Sequence, residues 1–146
     1  MDPLNRVHGE YELSTDASRI DWVRVHGWLS SSYWTPGISL KRVQTAGLNS
    51  ALLVGAYNKL GQVGFARVIS DKARFAYLCD VWVEESHRGK GLGRAMVKMA
   101  LEHPEMSQVS WLLATKDAHG VYARLGFQPL KEPARWMSLG EFRPDS

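Results

Sequence analysis

A single cysteine, Cys79, stands in 146 residues, which excludes an internal disulfide and a zinc site built from several cysteines. It suits a reducing compartment. Long hydrophobic runs are missing as well. The longest apolar stretch, Ala51 to Tyr57 with Gly55 inside it, falls far short of the roughly 20 residues that a membrane helix needs. The opening residues, Met1-Asp2-Pro3-Leu4-Asn5-Arg6, lack the basic-then-apolar layout of a signal peptide. Charge of one sign is scarce too: 18 basic residues face 15 acidic ones, for a net charge of +3 and a pI near 9.1. No basic run exceeds two residues, which argues against a nucleic-acid polymer as partner. A ligand with a few phosphates satisfies so small an excess. There is no internal repeat and no low-complexity tract. The expectation is a soluble cytoplasmic protein with no metal, membrane or nucleic-acid partner.

What is present suffices for a core. Hydrophobic residues make up 45% of the chain and charged residues 23%, an ordinary globular balance. The length fits one domain, residues 1–146, burying roughly 68–70% of its unfolded surface. Tyr11 to Ser14 reads as a first short strand, with Ser14 and Thr15 as cap candidates for a helix. Ile20, Trp22, Val23, Trp28 and Leu29 give that helix its apolar side. A Ser- and Pro-Gly-rich loop over 30–37 precedes a second helix from Ile38 to Ala46, with Ser39 as cap and Gly47 as stop. The period then changes. Residues 50–57, 62–70 and 74–83 are rich in Val, Ile, Phe and Tyr and are joined by hairpin-length connections, which predicts three consecutive antiparallel strands. Leu92, Ala95, Met96, Met99 and Ala100 fall on one side of a helix from Gly91 to Glu102. Beyond it come a strand over 109–115, a helix over 117–125 and a closing pair of strands from Phe127 onward and over 135–139. Antiparallel strands followed by this alternation predict one mixed α/β or α+β sheet.

The most informative segment is Arg88-Gly89-Lys90-Gly91-Leu92-Gly93, between an apolar strand and an amphipathic helix. Glycines let backbone N–H groups approach a ligand closely, and the first turn of a helix offers unpaired donors and partial positive charge. Together these make an anion site. A Walker loop would need Gly-x-x-x-x-Gly-Lys-Ser/Thr, which is absent. A dinucleotide fingerprint read from Gly91 places Met96 where the third glycine belongs.

Arg-x-x-Gly-x-Gly after a strand resembles the pyrophosphate loop of the GNAT superfamily, the N-acetyltransferases that use acetyl-CoA. Val81 to His87 resembles that family's fourth strand and its exit. Ala118-x-x-x-Tyr122-x-x-x-Gly126-Phe127 resembles its later Ala-x-x-x-Tyr-x-x-x-Gly-Phe segment. The match covers about residues 50 to 130. Ser32-Tyr33-Trp34 and Tyr77 to Asp80 look like those of a small bacterial-type, single-domain subgroup. The resemblance implies a GNAT fold: a central, mostly antiparallel mixed sheet of six to seven strands flanked by about four helices. It also implies acetyl-CoA as co-substrate, an amine acceptor that is a small molecule or a peptide, and direct attack in a ternary complex. A homodimer is compatible with the family. A CoA-binding sensor without turnover is the alternative.

The resemblance also assigns roles. It lays the pantetheine arm of acetyl-CoA against the backbone at Val81, Trp82 and Val83. It brings the pyrophosphate to the N–H groups of Arg88, Gly89, Lys90, Gly91, Leu92 and Gly93. Lys90, Arg94 and Lys98 recur every four residues and form one basic stripe, expected to face the ligand's phosphates or else solvent, with Lys98 read as solvated. Tyr122 stands at the family's general acid, and a phenol is a reasonable proton donor to a thiolate. Thr115 replaces the family's Asn seven residues before that Tyr. The glutamate that serves some members as base falls on Tyr77, so that role does not transfer. Asp80 is the nearest carboxylate: a water-mediated base, an attractor of ammonium, or a hydrogen-bonded structural group. His26 and His119 are weaker candidates, and Cys79 reads as inert. Tyr33, Trp34 and Tyr77 are assigned to the acceptor site, where aromatics suit a cationic or aromatic amine. Asp117 is expected to cap the helix that carries Tyr122.

Overall fold

The computed structural model describes residues 2–140. Six strands form one sheet in chain order: β1 (Asn5–His8), β2 (Tyr11–Ser14), β3 (Leu52–Asn58), β4 (Gly61–Ser70), β5 (Phe75–Val83) and β6 (Ser110–Leu112). All neighbours are antiparallel except β5 and β6. A parallel neighbour requires a crossover, and α3 (Leu92–Leu101) supplies it. The other helices are α1 (Trp22–Ser30), α2 (Leu40–Leu48) and α4 (His119–Ala123).

Strand alternation divides the apolar side chains between two layers. Leu52, Val54, Ala56, Ala66 and Val68 face a cluster completed by Leu92, Met96, Val97, Met99 and Ala100 of α3. Leu53 and Phe65 point to the opposite face, against Val25 and Leu29 of α1, Val43 of α2 and Trp34. The molecule is therefore a sheet covered by helices on both sides. Met96 is fully buried at the centre of the α3 side, where truncation to Ala would cost about 2–5 kcal/mol.

Several local expectations are corrected. β1 was not expected, because Val7 is its only strongly apolar residue and its side chains are mostly exposed. Ser14 is committed to β2, so capping passes to Asp16 for a 3-10 turn at Ala17–Arg19 and to Asp21 for α1. Ser39 caps α2 as expected, but Gly47 lies inside that helix and Asn49 ends it. A Cβ at position 47 would overlap the Trp22 ring, so this glycine permits helix contact instead of stopping a helix. β6 stops at Leu112, short of residue 115. Asp117 makes no cap bond to α4; the Thr115 hydroxyl accepts from the Ala118 amide instead. The closing strands are absent among the described residues. Pro129 and Pro133 remove donors there, Glu132 adopts a left-handed angle (φ 52°), and residues 128–140 are exposed.

Candidate functional site

The site begins with an irregularity in β5. Phe65 opposes Trp82 and Arg67 opposes Cys79, so Ala66 faces both Asp80 and Val81. That extra residue is a bulge, which bends a strand and sharpens its twist. Asp80 sits in it with φ 54°, an angle that Asp tolerates better than most residues. β6 pairs with β5 only at Phe75, Ala76 and Tyr77. Beyond Tyr77 no β6 pairing continues among the described residues, and at Val81 to Val83 the edge of β5 that faces β6 is left able to bind an extended chain.

This open edge leads into the glycine turn. After Val83 a 3-10 turn at Glu85–His87 carries the chain to Arg88, and Gly91 caps α3. Gly89 (φ 79°) and Gly91 (φ 78°) are both left-handed, the conformation only glycine adopts without cost. No side chain caps α3, so its first amides remain available to an anion. Arg88, Arg94 and Arg124 line the adjacent groove, about 290 Å³ in volume, together with Val83 and Val121. The Arg88 side chain also closes the strand end: Nε donates to the Val83 carbonyl at 2.8 Å, and the guanidinium lies over the Trp82 ring at 5.2 Å.

Lys90 departs from its expected direction. Its Nζ donates to the Tyr11 hydroxyl at 3.1 Å and lies 3.6 Å from Glu10. The Tyr11 hydroxyl, then Glu10, hold its ammonium above the ordinary lysine range. Leu92 and Gly93 open α3, with Leu92 buried in the core. Lys98 is exposed, as expected of a solvated residue.

Tyr122 is buried on α4, edge-on to Phe127 with ring centroids 5.9 Å apart. The α4 end also forms part of the groove through Val121 and Arg124. Thr115 is buried, and its hydroxyl serves the Ala118 amide.

Asp80 is tied on both carboxylate oxygens. Trp34 Nε1 donates to Oδ1 at 2.8 Å and Arg67 Nε donates to Oδ2 at 2.8 Å. Trp34 is buried and tilts against Trp82 at 5.9 Å, whereas Tyr33 is exposed, with Lys116 over its ring at 5.5 Å. Tyr77 lies half-buried at the last β5–β6 pair, before the bulge. A cavity of about 70 Å³ under Thr35 and Ile38 reaches Asp80, Arg67 and Phe65. His26 is a tether between α1 and the following loop, its Nε2 3.0 Å from the Ile38 carbonyl. His119 opens α4, and Cys79 is fully buried. Sequence reasoning missed Arg67 and Tyr11. A lone arginine in the apolar run 63–69 was a readable sign of a buried carboxylate partner. Tyr11 gave no such sign, because its partners lie 76 and 79 residues away.

Residues 49–129 match the model of the acetyltransferase (GNAT) domain. A crystal structure from Xanthomonas campestris pv. campestris, of a protein assigned to the GNAT family, is 41% identical. It covers 94% of this chain and 96% of its own, with a TM-score of 0.87. A Gibberella zeae protein named as an acetyltransferase is 29% identical over 89% of this chain and 86% of its own. A Clostridium acetobutylicum structure described with acetyl-CoA shares the fold at 17% identity and a TM-score of 0.62. It covers 89% of this chain and 94% of its own. The bulged strand, the glycine turn and the Tyr-bearing helix thus stand in an acyltransferase framework, and the chain belongs to the GNAT acetyltransferase family.

Proposed function

We propose that this enzyme transfers the acetyl group of acetyl-CoA to a primary amine, carried by a small molecule or a peptide, by direct attack in a ternary complex. The observation that carries this reading is continuity. The edge of β5 at Val81 to Val83, beyond the last β6 pair among the described residues, runs into the left-handed turn at Gly89 and Gly91 and the open first turn of α3. An extended arm bearing amides and ending in a pyrophosphate matches that sequence of donors. Arg88, Arg94 and Arg124 add positive charge beside it.

Backbone groups at Val81, Trp82 and Val83 hold the pantetheine arm as an added strand. The amide region near Val83 polarises the thioester carbonyl. The acceptor nitrogen attacks that carbon, the C–S bond breaks, and the sulfur takes a proton from the Tyr122 hydroxyl. The phenolate recovers its proton from solvent. Thr115 supports the loop before α4 through its bond to Ala118. The nitrogen's surplus proton leaves through water. Asp80 acts structurally, because Arg67 and Trp34 occupy both its oxygens. The paired Trp34 and Trp82 rings, with Tyr33 and Tyr77 nearby in sequence terms, offer the acceptor an aromatic wall.

Calorimetric titration with acetyl-CoA, followed by an amine panel monitored by release of free CoA thiol, tests the reading. Binding followed by thiol release with at least one amine is the expected result. Failure to bind acetyl-CoA would overturn it.

A further inference from the structure

The turn between β1 and β2 reaches across to the glycine turn and grips it through His8, Tyr11 and Glu10, whose carboxylate lies 3.6 Å from Lys90 Nζ. His8 Nε2 donates to the Lys90 carbonyl at 2.8 Å. The Tyr11 hydroxyl lies 2.7 Å from His87 Nδ1 and 3.1 Å from Lys90 Nζ. An ammonium only donates, so the Tyr11 oxygen accepts from Lys90, and its own hydrogen is free to go to His87 Nδ1. One buried hydroxyl therefore joins the residue before the turn to the residue in its middle. Tyr11 is 4% exposed, and its ring stands edge-on to His87 at 5.5 Å. Register fixes this arrangement, since His8 and Tyr11 are a cross-strand pair at the end of the β1–β2 hairpin.

We propose that Tyr11 is a positioning residue for the phosphate-binding turn, holding His87 and Lys90 so that the amides from Arg88 to Gly93 are ordered before the co-substrate arrives. In this arrangement the Lys90 side chain is a strut and not a phosphate ligand. The physical case rests on flexibility. Two left-handed glycines in three residues leave the turn with more conformational freedom than other residues would, and ordering it on binding would lower affinity. A brace made in the folded protein removes part of that cost beforehand. The significance for catalysis rests on the acetyl-CoA reading above, whereas the brace itself is a property of the unliganded chain.

Tyr11→Phe keeps the buried ring and deletes both bonds of the hydroxyl. In the unliganded protein, amide hydrogen exchange over 88–93 is expected to quicken in this variant and, independently, in the surface variant Lys90→Met. The KM for acetyl-CoA is expected to rise about tenfold in Tyr11→Phe, the scale of one to two net hydrogen bonds, with kcat within about twofold of the parent. The loss in the Tyr11→Phe/Lys90→Met double variant should fall short of the sum of the single losses, because the Tyr11–Lys90 bond is common to both while the contacts to His87 and Glu10 are not. Unchanged exchange in Tyr11→Phe would overturn the brace. So would additive losses led by Lys90→Met, which would make Lys90 a direct phosphate ligand. Faster exchange in a protein that binds no acetyl-CoA would leave the brace standing and overturn the functional reading alone.

Discussion

Asp80 combines a left-handed backbone angle, a carboxylate bonded on both oxygens and a place in the bulge that opens β5. The backbone angle and the ion pair separate by substitution. Asp80→Asn keeps a residue that tolerates the angle but removes the Asp80 charge from the Arg67 guanidinium, which is 14% exposed. Removing one partner of a buried pair costs about 3–5 kcal/mol, so chemical denaturation should show a loss near the lower end. Asp80→Ala should lose about 1–2 kcal/mol more, because alanine is strained at this φ. Equal stability for the Asn variant and the parent would remove the ion pair from the list of what holds the bulge. Tyr122 is the complementary case, where chemistry and not stability is at stake. Tyr122→Phe preserves the ring packed on Phe127. Its kcat should fall about 10²-fold, the lower range for a general acid, while the Kd for acetyl-CoA, read by calorimetry, stays within about twofold. An unchanged kcat would exclude the phenol as proton donor.

Elements that announced themselves did so through period and punctuation. β3, β4 and β5 carry enough Val, Ile and Phe, separated by short polar turns, to be located within two residues. The Leu92, Met96, Met99, Ala100 stripe marked α3. β1 was silent, because an edge strand with exposed side chains has no face to bury. The C-terminal segment misled for the opposite reason: Trp136, Met137 and Leu139 look like strand residues, yet they stay exposed beyond a left-handed Glu132. Turns also carry stability. In the β4–β5 connection, Asp71 Oδ1 accepts from the amides of Ala73, Arg74 and Phe75. These bonds lower its carboxyl to about 2. The folded pKa lies below the unfolded one, near 3.9, so the carboxylate's contribution is complete above that pH and is lost as pH falls toward 2. Asp71→Asn should therefore melt below the parent at neutral pH, with the gap closing as pH falls from about 4 to about 2. A gap independent of pH would show that the charge is irrelevant to the turn.

At the scale of the molecule, two helix layers hold a sheet that is continuous from β1 to β5 and then parts at the bulge. Phe65 and Trp82 belong to the α1–α2 side, Val81 and Val83 to the α3 side. Both layers thus meet at the strand where the open edge begins. The glycine turn was legible in the sequence because its residue types are dictated by backbone angle. The parting of β5 from β6, the Asp80–Arg67–Trp34 cluster and the Tyr11 brace were not. They depend on register and on contacts between residues 13 to 79 positions apart. These features converge on one place for the co-substrate, so mapping that place is the most direct test of the central claim. Backbone amide NMR during an acetyl-CoA titration should shift the resonances of Val81 to Val83 and Arg88 to Gly93 together and saturably. A saturable response confined to residues away from β5 and the glycine turn, or no response at all, would contradict it.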